Sequence, residues 1–359
     1  MPRDAALFRD RSAVPASASG RAADGLLLLV AIPALNEEST VGQVVAGIPR
    51  QIEGIERVEI LVVDDGSSDA TGRTAEAAGA RVLRHAASRG VGAAFHSGLA
   101  HGIDLGADLI VSIDADGQFD PGDIPRLIAP VLLGGADFAS ASRFADPSLE
   151  PEMPRVKRWG NRMMSRLISR LAGQRFHDVS CGMRCYSRAA ALQLHLLGHF
   201  TYTQEAFLNL AFKRMRIAEV PLRVRGEREF GESRVASNLW RYATRTVSII
   251  FRCYRDYYPL RFFGGMAVLL LIPASLLALF LVAHYLETGQ FSPHKWAGVA
   301  AATLSGFAIL LLHMGVMGDM LNRHRVYLEE LLYRQRADAG SENGRRAGAR
   351  FPGPGDSRG

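Results

Sequence analysis

Apolar residues along this 359-residue chain follow two different patterns. Between positions 26 and 142 they gather into short runs (26–33, 58–63, 109–113 and 138–141) separated by longer Ala-rich amphipathic stretches. Strands covered on both faces read as such continuous runs, so the alternation predicts βαβ units and a mostly parallel, Rossmann-like sheet. The run at 26–33 follows basic residues, as a signal-peptide core would. It is short, however, and leads into Pro33-Ala34-Leu35-Asn36-Glu37-Glu38 instead of a small-residue cleavage site, which favours a buried strand. Past Arg143 the chain turns helical and basic, and a further strand-like run lies at 216–224.

The second pattern begins at Phe262. Residues 262–285 give 24 positions without Asp, Glu, Lys or Arg, and residues 296–318 give 23. About 20 residues suffice to cross the hydrocarbon core of a bilayer, so two crossings joined by a short loop are expected. Arg252, Arg255 and Arg261 flank the start of this hairpin and Arg323 and Arg325 its end, whereas the loop side carries Lys295 against Glu287. The positive-inside rule then places both ends, and the soluble domain with them, in the cytoplasm. Before the hairpin, Leu239, Ala243, Thr246, Ile250, Cys253 and Tyr257 recur at spacings of four and three, with Arg241, Arg245, Arg252 and Arg255 interleaved. That spacing suits a helix lying along the membrane interface and equally one docked on the catalytic domain. The resulting division is a disordered lead-in at 1–24, an α/β catalytic domain at 25–235, an amphipathic juxtamembrane helix at 236–259 and a transmembrane hairpin at 260–320. A cytoplasmic helix and a Gly-, Arg- and Pro-rich tail follow at 321–359, disordered beyond about Arg336.

Composition adds little to this division. The formal charge of +6 comes almost entirely from Arg, which suits phosphate-rich or anionic surfaces and would also follow from GC-rich coding. No nucleic-acid partner is expected, and a homo-oligomer is left open. Cys181, Cys185 and Cys253 are odd in number and lack metal-ligand spacing, so neither a disulfide framework nor a zinc site is indicated.

Polar clusters follow the predicted strands, where ligands bind in open α/β sheets. Asn36 and Glu37 offer an amide and a carboxylate to a base or ribose. Asp64-Asp65-Gly66-Ser67 offers carboxylates to ribose hydroxyls or base N–H groups, with Gly66 permitting a sharp turn. Ser88-Arg89-Gly90-Val91-Gly92 is a turn before a helix, where exposed N–H groups approach a nucleotide. In Ile113-Asp114-Ala115-Asp116-Gly117-Gln118, carboxylates two residues apart would point the same way on a continuing strand, and hard oxygen ligands there suit Mg²⁺ or Mn²⁺ with diphosphate oxygens. Asp116 is the expected metal ligand, Asp114 serves the ribose or the groups around the metal, and Gln118 is a further ligand.

As a set these residues resemble the family 2 glycosyltransferases of GT-A fold, and within them the polyprenyl-phosphate group that includes dolichol-phosphate mannose synthase and bacterial undecaprenyl-phosphate sugar transferases. The resemblance covers about residues 28–237. It rests on the motifs above together with Ser142-Arg143-Phe144, Asp178-Val179-Ser180-Cys181-Gly182-Met183-Arg184, Glu219-Val220-Pro221 and Gly231-Glu232-Ser233-Arg234. It implies that Pro33, Glu37, Asp65 and Asp114 hold the nucleoside, and that Asp116 and Gln118 hold the metal. Arg143 and Arg158 look like the family's arginines near the acceptor phosphate and donor diphosphate. Arg234 stands where the family's Gly-x-Ser-Lys loop has its lysine, and Glu205 where related transferases place an acid near the acceptor. Arg158, Arg162, Arg166 and Arg170 recur every four residues, a stripe that would attract a lipid phosphate or anionic headgroups, or simply be a solvated face.

The resemblance implies inverting transfer from a UDP- or GDP-sugar to a polyprenyl phosphate at the cytoplasmic membrane face. One rival is a processive polysaccharide synthase of the same fold. Those enzymes carry Gln-x-x-Arg-Trp, and the Arg158-Trp159 pair here has Arg155 in the Gln position. The other rival is an inactive membrane-anchored scaffold that retains nucleotide-sugar affinity.

Overall fold

The computed structural model describes residues 25–194, 202–225 and 239–349. Among these, strands β1 (Leu27–Ala34), β2 (Arg57–Asp64), β3 (Arg81–Arg84), β4 (Leu109–Ser112), β5 (Phe138–Ser142), β6 (Arg184–Ser187) and β7 (Ile217–Pro221) form one sheet in the order β3-β2-β1-β4-β6-β5-β7. All neighbours are parallel except β6, which runs against both β4 and β5. The helices of the domain are α1 (Val41–Gly47), α2 (Thr71–Ala77), α3 (Val91–Leu105), α4 (Ile124–Leu132), α5 (Arg155–Ala172), α6 (Arg188–Gln193) and α7 (Thr203–Phe212).

Every residue of β1 is buried, because helices cover both faces of the sheet. Leu28, Val30 and Ile32 point into one core with Val41, Ile124 and Leu127, whereas Leu27 and Leu29 point into the other with Phe95, Leu99 and Phe207. The period-2 alternation of a strand thus divides one apolar run between two cores. On the second face α3 lies unusually close. A Cβ at Gly98 would fall 2.9 Å from that of Ala31, and one at Gly102 only 2.6 Å from Ile110 Cδ1.

The winding places the site. From β1 the chain moves outward to β2 and β3, and α3 then carries it back to β4 on the other flank of β1. Strand order therefore reverses between β1 and β4, and a crevice opens beyond their carboxyl ends. Pairing of β1 with β4 ends at Ala31 and Ser112. Ala31 O accepts from Ile113 N while Ala34 O accepts from Asp65 N, so Pro33 faces the β4 side after that ladder has ended. A proline in this central strand therefore costs no sheet hydrogen bond.

Beyond the domain, α8 (Leu239–Tyr257) packs on α7 and leads into α9 (Pro259–Thr288), which forms a long antiparallel pair with α10 (Lys295–Ala349). Both α9 and α10 are long and apolar enough to cross a membrane, with windows of mean hydropathy 2.7 and 1.9. Only 11% and 17% of those windows are buried, so their apolar side chains face outward and form no protein core. After the hairpin α10 returns to the domain. Arg325 stacks 3.8 Å from the Tyr257 ring, Glu329 pairs with Lys213 at 3.0 Å, and Tyr333 and Ala337 pack on the second core. The helix runs on to Ala349, past the predicted end of order near Arg336. Extending an existing helix adds one hydrogen bond per residue without a new nucleus, and this carries it through Gly340, Gly344 and Gly348, which by themselves disfavour a helix.

Candidate active site

The loops after β1 and β2 are tied together across the mouth of the crevice. Asn36 adopts φ +52°, a conformation that Asn tolerates better than most side chains, and its Oδ1 accepts from Ser68 N–H at 2.8 Å. In return Ser67 Oγ accepts from Asn36 N–H (2.9 Å) and Thr71 Oγ1 from Glu37 N–H (2.8 Å). Glu38 completes the tie by accepting from Ala70 N–H at 2.8 Å. The two motifs predicted to meet the nucleoside are thus one interlocked unit, in which the Asn36 amide already serves the loop.

Asp65 performs a similar task one loop further along. Its buried carboxylate accepts from Ser88 Oγ (2.9 Å), Arg89 N–H (3.0 Å) and Gly90 N–H (2.8 Å), and pairs with His85 Nδ1 at 2.6 Å. Burial alone would raise its pKa, but the hydrogen bonds from Arg89, His85, Gly90 and Ser88 outweigh it and hold the carboxyl below the usual range. The carboxylate expected at the ribose or base also clasps the turn that starts α3. Gly90 in that turn has φ +95°, and Gly66 has φ +78° with room for no side chain, since a Cβ there would sit 2.8 Å from Ala87 C and Ser88 N.

The acidic motif departs from expectation in one respect. β4 stops at Ser112, so Asp114 and Asp116 lie in a turn, and strand periodicity does not align their carboxylates. Asp116 is buried and accepts from Gln118 N–H at 3.1 Å, the turn closing at Gly117 with φ +72°. Gln118 donates its amide N–H to Arg225 O (3.3 Å), which leaves Oε1 as the atom it could offer to a metal. Among the described residues no three His, Cys, Asp or Glu side chains converge as a ready-made metal site. Two carboxylates and an amide oxygen nevertheless fit Mg²⁺ or Mn²⁺, cations commonly held by one or two carboxylates plus substrate phosphates and water.

The loop preceding β6 joins this motif to Arg143. Asp178 is fully buried and receives Arg143 Nε at 2.6 Å and Nη2 at 2.9 Å, while Arg143 Nη2 also donates to Ser180 Oγ (3.1 Å). Burial pushes the Asp178 carboxyl up, but the Arg143 charge and hydrogen bonds prevail and keep its pKa low. Four residues on, Gly182 lies directly against Asp114: a Cβ there would come within 2.7 Å of Asp114 Cγ and closer still to Oδ2. The loop is anchored at both ends. Glu219 on β7 accepts from the N–H groups of His177 (2.9 Å) and Asp178 (2.8 Å). Arg184, wholly buried, donates to Val179 O (3.1 Å), Cys181 O (2.8 Å) and Thr203 O (2.7 Å).

The remaining predicted residues scatter around this loop. Ser180 Oγ donates to Asn161 Oδ1 on α5 (3.2 Å), and Arg158 on the same helix pairs with Glu150 at 3.0 Å. Glu205, in the first turn of α7, is buried and not on a helix surface; its charge helps raise the Cys253 thiol on α8, after burial, to about 12. Arg234 lies outside the described residues. The roles of Asp178, Gly182, Arg184 and Glu219 escaped sequence reasoning, although their motifs were the signal. Cys181 is likewise inert, burial pushing its thiol to about 12.

Residues 29–194 match the family model described as glycosyl transferase family 2. The UDP-N-acetylglucosamine–dolichyl-phosphate N-acetylglucosaminyltransferase of Methanococcus voltae is 30% identical over 222 residues, covering 56% of this chain and 86% of its own. The chain belongs to glycosyl transferase family 2. The likeness reaches beyond the catalytic domain of the transferase. The undecaprenyl-phosphate 4-deoxy-4-formamido-L-arabinose transferase of Klebsiella pneumoniae is 29% identical over 311 residues, 82% of this chain and 88% of that protein. These relatives place the transferase in the polyprenyl-phosphate sugar transferase group. Among solved structures, glucosyl-3-phosphoglycerate synthase from Mycobacterium tuberculosis, crystallised with Mn²⁺, UDP and glucosyl-3-phosphoglycerate, has a TM-score of 0.51 at 24% identity. It covers 64% of this chain and 80% of that one, a likeness of fold.

Proposed function

We propose that the transferase moves a sugar, with inversion, from a UDP- or GDP-sugar to a polyprenyl phosphate at the cytoplasmic face of a membrane. The observation that carries this reading is the 178–184 loop, which keys Asp114 and Arg143 to one rigid segment in a domain continuous with two membrane-length helices. The nucleoside would lie at the switch point against Pro33 and Glu37, with Asp114 toward the ribose. An acceptor phosphate is largely ionised at neutral pH, its second pKa being near 6, so no strong general base is required. Its oxygen attacks the anomeric carbon in line, a new C–O bond forms, and the bond to the diphosphate breaks with the electron pair leaving on the nucleoside diphosphate. A divalent cation held by Asp116 and Gln118 would offset the charge that builds on that leaving group.

Arg143, gripped by Asp178, is held in one orientation and need not reorganise during the reaction. The cytoplasmic placement draws on Arg252, Arg255, Arg261, Arg323 and Arg325 at the two ends of the hairpin. Anchoring confines enzyme and acceptor to the same plane, so proximity becomes part of catalysis.

Incubating membranes containing the transferase with radiolabelled UDP- and GDP-sugars, a divalent cation and polyprenyl phosphate should give an organic-soluble labelled lipid. Absence of that lipid with every donor, or an unchanged yield from Asp116→Ala, would refute the reading.

A further inference from the structure

Helix α7 carries Glu205 and Asn209, and Lys213 closes it, at steps of four residues that place all three on one face. Glu205 and Asn209 are buried. Asn209 Nδ2 donates to Tyr257 Oη at the end of α8 (2.8 Å), and the return leg of α10 holds the same tyrosine. The Arg325 guanidinium lies 3.8 Å over the Tyr257 ring, and Asn322 Nδ2 donates to Tyr257 O at 3.3 Å. Glu329 bridges Arg325 (3.6 Å) to Lys213 (3.0 Å), which closes the circuit back onto α7. Glu205 and Arg325 act on one spot with opposite sign. Burial and then the Glu205 charge push the Cys253 thiol up to about 12, and Arg325 draws it back.

The site leans on the same helix. The first residue of α7, Thr203, accepts at O from Arg184 (2.7 Å), and Arg184 in turn holds Val179 O and Cys181 O of the loop that keys Asp114 and Arg143. We infer that Arg325, acting through Tyr257 and Asn209, is a positioning residue for sugar transfer: the return leg of the membrane hairpin sets the orientation of α7, and with it Glu205 and the 178–184 loop. Adhesion alone does not account for this seam. Tyr333 and Ala337 already pack on the second core, and Phe212 packs on the Tyr257 ring at 4.9 Å. Apolar packing of that kind survives small shifts, whereas a network of hydrogen bonds and charges is satisfied in one register only. The inference rests on the transfer reaction proposed above and extends it to a residue carried by the anchor.

The test uses the full chain in membranes and measures labelled polyprenyl-phosphate sugar, with the donor that labels lipid in the wild type, while melting temperature is followed in parallel. Arg325→Ala and Tyr257→Phe should each lower kcat about tenfold and leave KM for the nucleotide sugar unchanged; combined, they should cost no more than the larger alone, as members of one path do. Arg325→Lys, which keeps a cation over the ring, should recover most of the rate. Arg334→Ala, on the exposed face of the same helix, is the control and should match the wild type. Wild-type kcat in both Arg325→Ala and Tyr257→Phe would overturn the inference and leave the reaction standing. So would a rate that falls only in step with melting temperature, or an equal loss in Arg334→Ala, since either marks a general loosening of the helix. A second measurement needs no turnover: in Arg325→Ala, amide hydrogen exchange should quicken in α7 and in residues 178–184 and stay slow in β1 and β4. Unchanged exchange in those two segments would likewise overturn the inference. If the wild type labels no lipid with any donor, the proposed reaction falls and the inference falls with it.

Discussion

Replacing Gly182 by alanine separates the site from the fold. The three atoms nearest to the new Cβ all belong to Asp114, at 2.7 Å for Cγ and 3.0 Å for Oδ1, with Oδ2 nearer still. All three atoms belong to the carboxylate end of that side chain, so the clash is relieved by rotating it and not by moving the sheet. A rotation of this kind costs about 0.5–1.5 kcal/mol. For a domain of this size that lowers the melting temperature by roughly 1–6 °C. The catalytic cost is much larger, because displacing a positioned group by about 1 Å can reduce the rate ~100-fold, equivalent to about 2.7 kcal/mol. Thermal unfolding of Gly182→Ala should therefore stay near that of the wild type, while transfer of labelled sugar to polyprenyl phosphate falls by roughly two orders of magnitude. Activity close to wild type would show that Asp114 does not depend on this contact for its place. A collapse in melting temperature would show that Gly182 supports the loop and not the carboxylate.

Gly66→Ala should behave in the opposite way. It forces a left-handed residue against backbone at 2.8 Å, so stability falls by more than the 1–2 kcal/mol of the conformation alone, measured by thermal unfolding. Asp178→Ala removes the buried partner of Arg143 and should cost about 3–5 kcal/mol, with Asp178→Asn intermediate. In the wild type the folded-state pKa of Asp178 lies below its ordinary 3.8, so its contribution is complete above that value and is lost as pH falls through the folded pKa. Acid unfolding of Asp178→Asn should be less steep there than that of the wild type. Chelation with EDTA should abolish transfer and Mg²⁺ or Mn²⁺ restore it, with Asp116→Ala insensitive to either treatment.

The core strands were legible because both faces are covered, which leaves β1 and β4 as apolar runs and interrupts those of β2 and β5 only at Glu59 and Ser140. Two strands were not. β3 reads Arg-Val-Leu-Arg, an edge strand with its arginines in solvent, and β6 begins with an arginine that no sequence pattern marks as buried. The acidic and glycine motifs announced the site, but their division of labour was hidden. Whether Asp65 meets a ribose or clasps Ser88 and Gly90 depends on how closely two loops approach, and the 20-odd residues between them do not encode that distance locally. Arg184 and Glu219 escaped for the same reason: each acts through backbone groups brought to it by the closed sheet.

The returning half of α10 gives the molecule a fixed dimension. Its 55 residues, at about 1.5 Å each, measure roughly 80 Å, against about 30 Å of hydrocarbon to be crossed. The remainder is a rigid gauge bolted to the domain at Tyr257 and Lys213. On the membrane-anchored function proposed above, it would set how far the crevice stands from the bilayer, and therefore how much of a lipid-borne acceptor must rise out of the membrane to be reached. The start of α9 shares that geometry, since Gly318 and Gly315 of α10 lie against Pro259 and Leu260 while Arg325 stacks on Tyr257, so an extra turn between Met320 and Arg325 would have to break one of these two contacts.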